Sequence, residues 1–141
     1  RYGMEPLTYV LGAGNLWDYA YCYAMCVMEE CQWIRTKSVN AGEFFHGTLE
    51  LMEKGVNVLV LQGEDSSRPL TERAVRFLKR VTDKLTVIDT KDYCPEIVNP
   101  KFRGLLSPMI MYQLCERISK HLEKERKHPL EMRRYYRRLS Y

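Results

Sequence analysis

The sequence predicts an α/β domain, a three-layer αβα sandwich built on an open, mostly parallel sheet. Three observations carry that expectation. Short β-rich runs alternate with amphipathic segments in the order β-α-β-α-β-α-β-α. The run at residues 56–61 is apolar nearly throughout, as a strand covered on both faces must be. The connections are long enough to cross over between parallel neighbours. Ligands of such sheets bind beyond the carboxyl ends of the strands. Gly12, Gly42, the loop from Gly63 and the segment after Asp89 are all expected at that edge.

The elements follow in order. Residues 7–11 form a short β-rich run that ends in Gly12-Ala13-Gly14, a turn, with Asn15 as helix N-cap. The helix extends from about Leu16 to Trp33. At ~100° per residue, Leu16, Ala20, Tyr23, Ala24, Val27, Cys31 and Ile34 fall on one stripe. Residues 36–40 read as a weak strand, and 41–43 as a turn. Residues 43–53 are helical in pattern, broken by Gly47 and stopped by Gly55. After the strand at 56–61 comes a polar loop at 63–68. Pro69 then opens a helix to Thr82, with Leu70, Ala74, Phe77, Leu78 and Val81 on its apolar side. Residues 85–89 are a strand, followed by an irregular stretch with Pro95 and Pro100. Ser107 caps a long helix with Pro108 at its first position, and His128-Pro129 breaks it.

Composition narrows the function classes. A chain of 141 residues with 45% hydrophobic and 28% charged residues suits one domain with its own core. No apolar run approaches the ~18 residues needed to span a bilayer, and no signal-peptide pattern opens the chain. The arginine start reads as part of a longer protein. Five cysteines, odd in number and without a Cys-x-x-Cys pair, fit reduced thiols in a cytoplasmic protein rather than a disulfide framework. Three histidines without ligand spacing argue against a zinc site. The net charge is +4, and residues 120–141 alone carry eight Lys/Arg against three Glu. The basic excess therefore belongs to the tail, which has no nucleic-acid recognition motif beside it. Tyr135, Tyr136 and Tyr141 favour a tail that folds back, with Arg133 or Arg134 pairing acids.

The candidate chemistry centres on residues 30–47. Glu30 lies at the edge of the helix stripe, while Glu29 faces the opposite side and should be solvated. A half-buried Glu30 would have a raised pKa, as a general base requires; pairing with Arg35 or Lys37 is the plainer alternative. Glu43, Phe44, Phe45 and His46 follow the next strand. A carboxylate and an imidazole brought together at a sheet edge are what a proton shuttle needs. Ser66, Ser67 and Arg68 precede a helix N-terminus and suit a phosphate, although Glu64 and Asp65 oppose one. Gly12-Ala13-Gly14 is half of a dinucleotide fingerprint, but Trp17 occupies the third glycine's place, so the segment reads as a structural turn.

Together, Leu-Gly-Ala-Gly (11–14), a helix ending Glu30-Cys-Gln-Trp-Ile, Ala-Gly-Glu43-Phe-Phe-His46-Gly, residues 71–79 and residues 128–136 resemble the second half of the sugar isomerase (SIS) double-domain proteins. The fructosamine-6-phosphate deglycase group is the nearest match, across essentially the whole chain. Thr48 departs from the proline common after His-Gly in that family. The resemblance implies a sheet of flavodoxin-like order. It implies a carboxyl-terminal SIS domain at residues 1–128 and a tail at 129–141 that closes over the active site. Glu30 matches the general base that moves a proton between C1 and C2 of an open-chain sugar phosphate. His46 matches the acid/base group that reaches a neighbouring subunit's site, so a homodimer is implied. Glu43, His128, Arg133, Arg134 and Tyr135 are the implied substrate contacts beside Ser66 and Arg68. No metal or other cofactor, nucleic acid or membrane is implied. The family's Ser/Thr-rich phosphate loop has no counterpart here, so the amino-terminal SIS domain is expected as a partner, and the isolated chain is expected to be inactive or nearly so. The alternatives are a phosphosugar isomerase, the isomerase domain of a glucosamine-6-phosphate synthase, or a sugar-phosphate-binding regulatory domain without turnover.

Overall fold

The computed structural model describes residues 7–140. Four parallel strands form one sheet: β1 (Thr8–Gly12), β2 (Thr36–Asn40), β3 (Asn57–Gln62) and β4 (Leu85–Asp89), in the order β2-β1-β3-β4. Alternation of side chains sorts each central strand between two cores. Val10, Leu61 and Ile88 face one side, where they meet Leu16, Ala20, Tyr23, Met111 and Cys115. Tyr9, Leu11, Val58 and Val60 face the other, against Phe44, Ala74 and Leu78. The first side is covered by α1 (Trp17–Cys22) and α3 (Pro100–Arg126). The second is covered by α2 (Arg68–Val81) and by two short 3-10 turns, Phe44–His46 and Thr48–Leu51. The expected three-layer αβα sandwich, with an open parallel sheet in flavodoxin-like order, is what the chain adopts.

Three local readings are corrected. Residues 43–53 form the two 3-10 turns rather than one helix, with Gly47 between them. Asn15 does not cap with its side chain; a 3-10 turn at Gly14–Leu16 leads into α1 instead. The long helix begins at Pro100, capped by Asn99 Oδ1 on the Lys101 amide at 3.0 Å. Ser107 and Pro108 therefore lie inside it. A Ser-Pro pair has the local chemistry of a helix start, but here tertiary contacts absorb it. The Ser107 hydroxyl accepts the Glu64 amide at 3.0 Å and donates to the Arg103 carbonyl at 3.0 Å. Pro108 leaves the Gly104 carbonyl without its i+4 donor, and Asn15 Nδ2 supplies one from 89 residues away at 2.6 Å.

Past α1 the helix widens into a π-helical stretch, Tyr23–Glu29. Glu30 N bonds to Met25 O and Gln32 N to Val27 O, both five residues back, at 3.0 and 3.1 Å. The wider turn shifts the buried stripe by one residue. Met28 and Gln32 are buried where a uniform α-helix would bury Val27 and Cys31. All five cysteines are free thiols. Among the described residues, no helix is long and apolar enough to cross a membrane.

Candidate active site

A helix that follows a strand of a parallel sheet runs back, so it starts at the carboxyl end and finishes at the amino end. Glu30 terminates the helix after β1 and thus lies at the amino end of the sheet, beside the entry to β2. His46 follows β2 and lies at the carboxyl end. The five residues of β2, about 16 Å of strand, stand between them. The expectation that one chain folds both groups to the same rim is therefore overturned by the topology.

At the amino end, Glu30 sits in a cleft of about 290 Å³ lined also by Glu29, Trp33, Arg133, Arg134, Tyr135 and Tyr136. The tail that follows α3 comes back to this point. Arg133 Nε donates to Glu30 Oε1 at 2.9 Å, and Arg133 Nη1 donates to the Leu130 and Met132 carbonyls at 2.6 and 3.0 Å. The guanidinium is tied down by its own backbone before it meets the carboxylate. Glu30's side chain is 35% exposed and its neighbour is a cation, where the stripe pattern suggested an apolar border; the partner is Arg133, not Arg35 or Lys37. Glu29 is exposed as expected, and it holds the start of β2: its Oε1 accepts the Thr36 hydroxyl at 2.6 Å and the Thr36 amide at 3.2 Å.

Trp33 anchors the cleft. Its φ of 54° is a left-handed backbone, uncommon for a bulky residue. The ring is gripped on two sides. The His128 ring meets it edge-on at 4.4 Å between centroids, and the Arg134 guanidinium lies 4.2 Å over its face. His128 is half-buried behind Trp33, and its Nε2 is buried without a hydrogen-bond partner. Burial, with Arg126 and Arg134 nearby, lowers its pKa against the opposing pull of the Cys31 carbonyl. A neutral ring that packs on tryptophan is a support, so the expected contact of His128 with substrate is replaced by a contact with Trp33. Arg133, Arg134 and Tyr135 gather at Glu30's cleft. Tyr141, also expected to dock, lies outside the described residues.

The carboxyl end is a different environment. Glu43 and His46 are exposed there. The loop at 63–68 does not present open donors to an anion. Arg68 is engaged by Asp89 and Glu72, and Nη1 also donates to the Gly63 carbonyl at 2.9 Å. Ser67 gives its hydroxyl and amide to Asp65 Oδ1. Asp65 Oδ2 accepts the Asn15 amide at 2.8 Å, at the start of the helix. Burial acts to raise the Asp65 pKa, but the hydrogen bonds from Ser67 and Asn15 outweigh it and hold the carboxyl below the usual range. An internal carboxylate thus takes the place where a phosphate would sit on a helix N-terminus. Only Ser66 of the expected phosphate donors is left exposed. Reading the composition alone missed Glu29, Trp33, Arg35 and Thr36 as site residues. Their signal was positional: the last helical turn and the first strand residues of one βα unit share a rim.

No protein-family model matches the chain. It is 36% identical over 137 residues to the fructosamine deglycase FrlB of Bacillus subtilis, covering 97% of this chain and 42% of that protein. It is 34% identical over 131 residues to the fructoselysine 6-phosphate deglycase of Escherichia coli, covering 93% of this chain and 37% of that protein. The chain therefore spans about two fifths of the length of these relatives. Among solved structures, a candidate phosphosugar isomerase from Bacillus subtilis superimposes with a TM-score of 0.93 at 36% identity, over 98% of this chain and 42% of that one. A second, from Salmonella typhimurium, gives 0.77 at 34% identity, over 99% of this chain and 43% of that one. The carboxyl-terminal domain of glucosamine-fructose-6-phosphate aminotransferase from Francisella tularensis shares the fold alone, with a TM-score of 0.69 at 17% identity over 92% of this chain and 38% of that one. Homology across nearly its whole length, together with the sheet order, identifies this chain as a sugar isomerase (SIS) half-domain related to the fructosamine and fructoselysine 6-phosphate deglycases.

Proposed function

We propose that this chain is the carboxyl-terminal SIS half of a cytoplasmic phosphosugar-amine deglycase. The substrate is a fructosamine 6-phosphate, an Amadori compound, and the products are glucose 6-phosphate and a free amino acid. The observation that carries the reading is Glu30 in its cleft, held by the folded-back Arg133 at 2.9 Å. The relatives of this chain are named for that chemistry.

The substrate carries an amine on C1 and a carbonyl at C2. Glu30 removes a proton from C1, giving an enaminol, and the same proton is returned to C2. The double bond now lies between C1 and nitrogen, and water cleaves that imine to the aldehyde and the amine. One positioned carboxylate serves both transfers. Arg133 fixes its orientation and balances its charge. His46 handles the oxygen proton from a second copy of the chain, because its own sheet separates it from Glu30. The phosphate is held by the amino-terminal SIS half. The anion position at the carboxyl rim supports that division, since Asp65 fills it. The outer face of α3 supports it too. Phe102, Leu105, Met109 and Tyr112 form an exposed apolar stripe, with Leu105 75% and Met109 68% exposed. The remaining length of the longer relatives is the body that would cover it.

Glu30→Gln in the full-length protein tests the base. Loss of a general base costs ~10²-fold or more in turnover. Turnover within about threefold of wild type would remove Glu30 from that role.

A further inference from the structure

The cleft at Glu30 does not end at Trp33. A second cavity of about 400 Å³ opens beside it, walled by Glu29, Trp33, Ile34, Arg35, Thr36 and Arg134. Glu29, Trp33 and Arg134 line both spaces. This second wall carries both signs of charge on a rigid frame. Glu29 is held by two hydrogen bonds from Thr36. Trp33 is clamped between His128 and Arg134. The Arg35 carbonyl is pinned by the Thr8 amide at 3.0 Å. Between the charged groups lie the indole of Trp33 and the side chain of Ile34, both apolar.

We propose that this cavity is the subsite for the amine half of the substrate, and that it selects an amino acid joined to the sugar through its side chain. The inference rests on the reading of Glu30 as the base at C1. With C1 at Glu30, the departing nitrogen points along the shared wall. Methylenes of a side chain pack on Trp33 and Ile34. A free carboxylate meets Arg35 and Arg134, and a free ammonium meets Glu29. An amino acid joined through its α-amine has no primary ammonium left for Glu29. One joined through a side-chain amine presents both charges. Arg35 and Glu29 are thus specificity-determining residues, separate from the proton transfer.

Three fructose 6-phosphate adducts test this in the full-length protein: those of the lysine ε-amine, 6-aminohexanoate and pentylamine. They share a linker and differ by the ammonium and then the carboxylate. A hydrogen bond to a charged group separates substrates by about 10-fold or more. The expected kcat/KM falls about 10-fold from the lysine adduct to the aminohexanoate adduct, and about 10-fold again to the pentylamine adduct. In Glu29→Gln the first step shrinks to within about threefold. In Arg35→Gln the second step shrinks, and Arg35→Lys restores part of it. If wild type cleaves the pentylamine adduct within about threefold of the lysine adduct, the subsite is overturned while the deglycase reading stands. If the first step survives in Glu29→Gln and the second in Arg35→Gln, the two residues are not its determinants and the proposal fails. If none of the adducts is cleaved, the deglycase reading and the subsite fall together.

Discussion

At the scale of single residues, charge and hydrogen bonding decide what each polar group is available to do. Asp65 and Arg68 share one polar loop, and both are engaged within the protein. Burial alone would raise the Asp89 pKa, but the Arg68 guanidinium and the Lys91 amide outweigh burial and lower it. Asp65 is lowered by its amide and hydroxyl donors in the same way. A carboxyl whose folded pKa lies below its unfolded value, ~3.9 for Asp, adds stability that is complete above that unfolded value. The contribution disappears as pH falls through the folded pKa. Asp65→Asn should therefore lower the melting temperature at pH 7, and the gap to wild type should close on acidification below about pH 3. Thermal unfolding across that range checks it. A gap that is constant with pH would show that the Asp65 charge contributes nothing.

The elements show how long-range contacts rescue local conflicts. Proline inside α3 deprives the Gly104 carbonyl of a helical donor, and Asn15 supplies one. The approach is close: a Cβ on Gly104 would lie 3.0 Å from Asp65 Cα. Asn15→Ala should cost ~1 kcal/mol, the typical net value of one hydrogen bond. In a Pro108→Ala background the residue 108 amide can bond Gly104, so the same change should cost clearly less. Denaturant unfolding of the four proteins gives the coupling directly. Additive costs would mean that Asn15 acts elsewhere. The π-helical stretch at Tyr23–Glu29 belongs to the same scale. By widening one turn it buries Met28 and Gln32, and it sets the position from which Glu30 meets Arg133.

For the whole molecule, the decisive fact is the separation of Glu30 and His46 by the length of the sheet. If both serve one reaction, they do so from different copies. Mixing Glu30→Gln and His46→Asn proteins, unfolding them together and refolding should then recover about a quarter of wild-type turnover. Half of the random pairs are mixed, and each mixed pair rebuilds one intact site of two. Turnover no higher than that of the parent variants would place His46 outside the shared site. The recovery is read by rate, so it does not depend on any structural marker of assembly.

The alternation of strands and helices was written in local periodicity, which is why the parallel αβα sandwich could be read directly. The β3 core run and the apolar side of α2 needed no tertiary knowledge, because their burial follows from spacing along the chain. Glu30, His46 and the tail residues were legible as a recurring pattern. Their relative placement was not, because it depends on which end of the sheet each connection reaches. The destination of Arg133 and the filling of the phosphate-like position by Asp65 were likewise settled only by folding. So was the burial of Ser107-Pro108 inside a helix. In each case the partner lies far away in sequence, and a local pattern records which groups need partners without recording who supplies them.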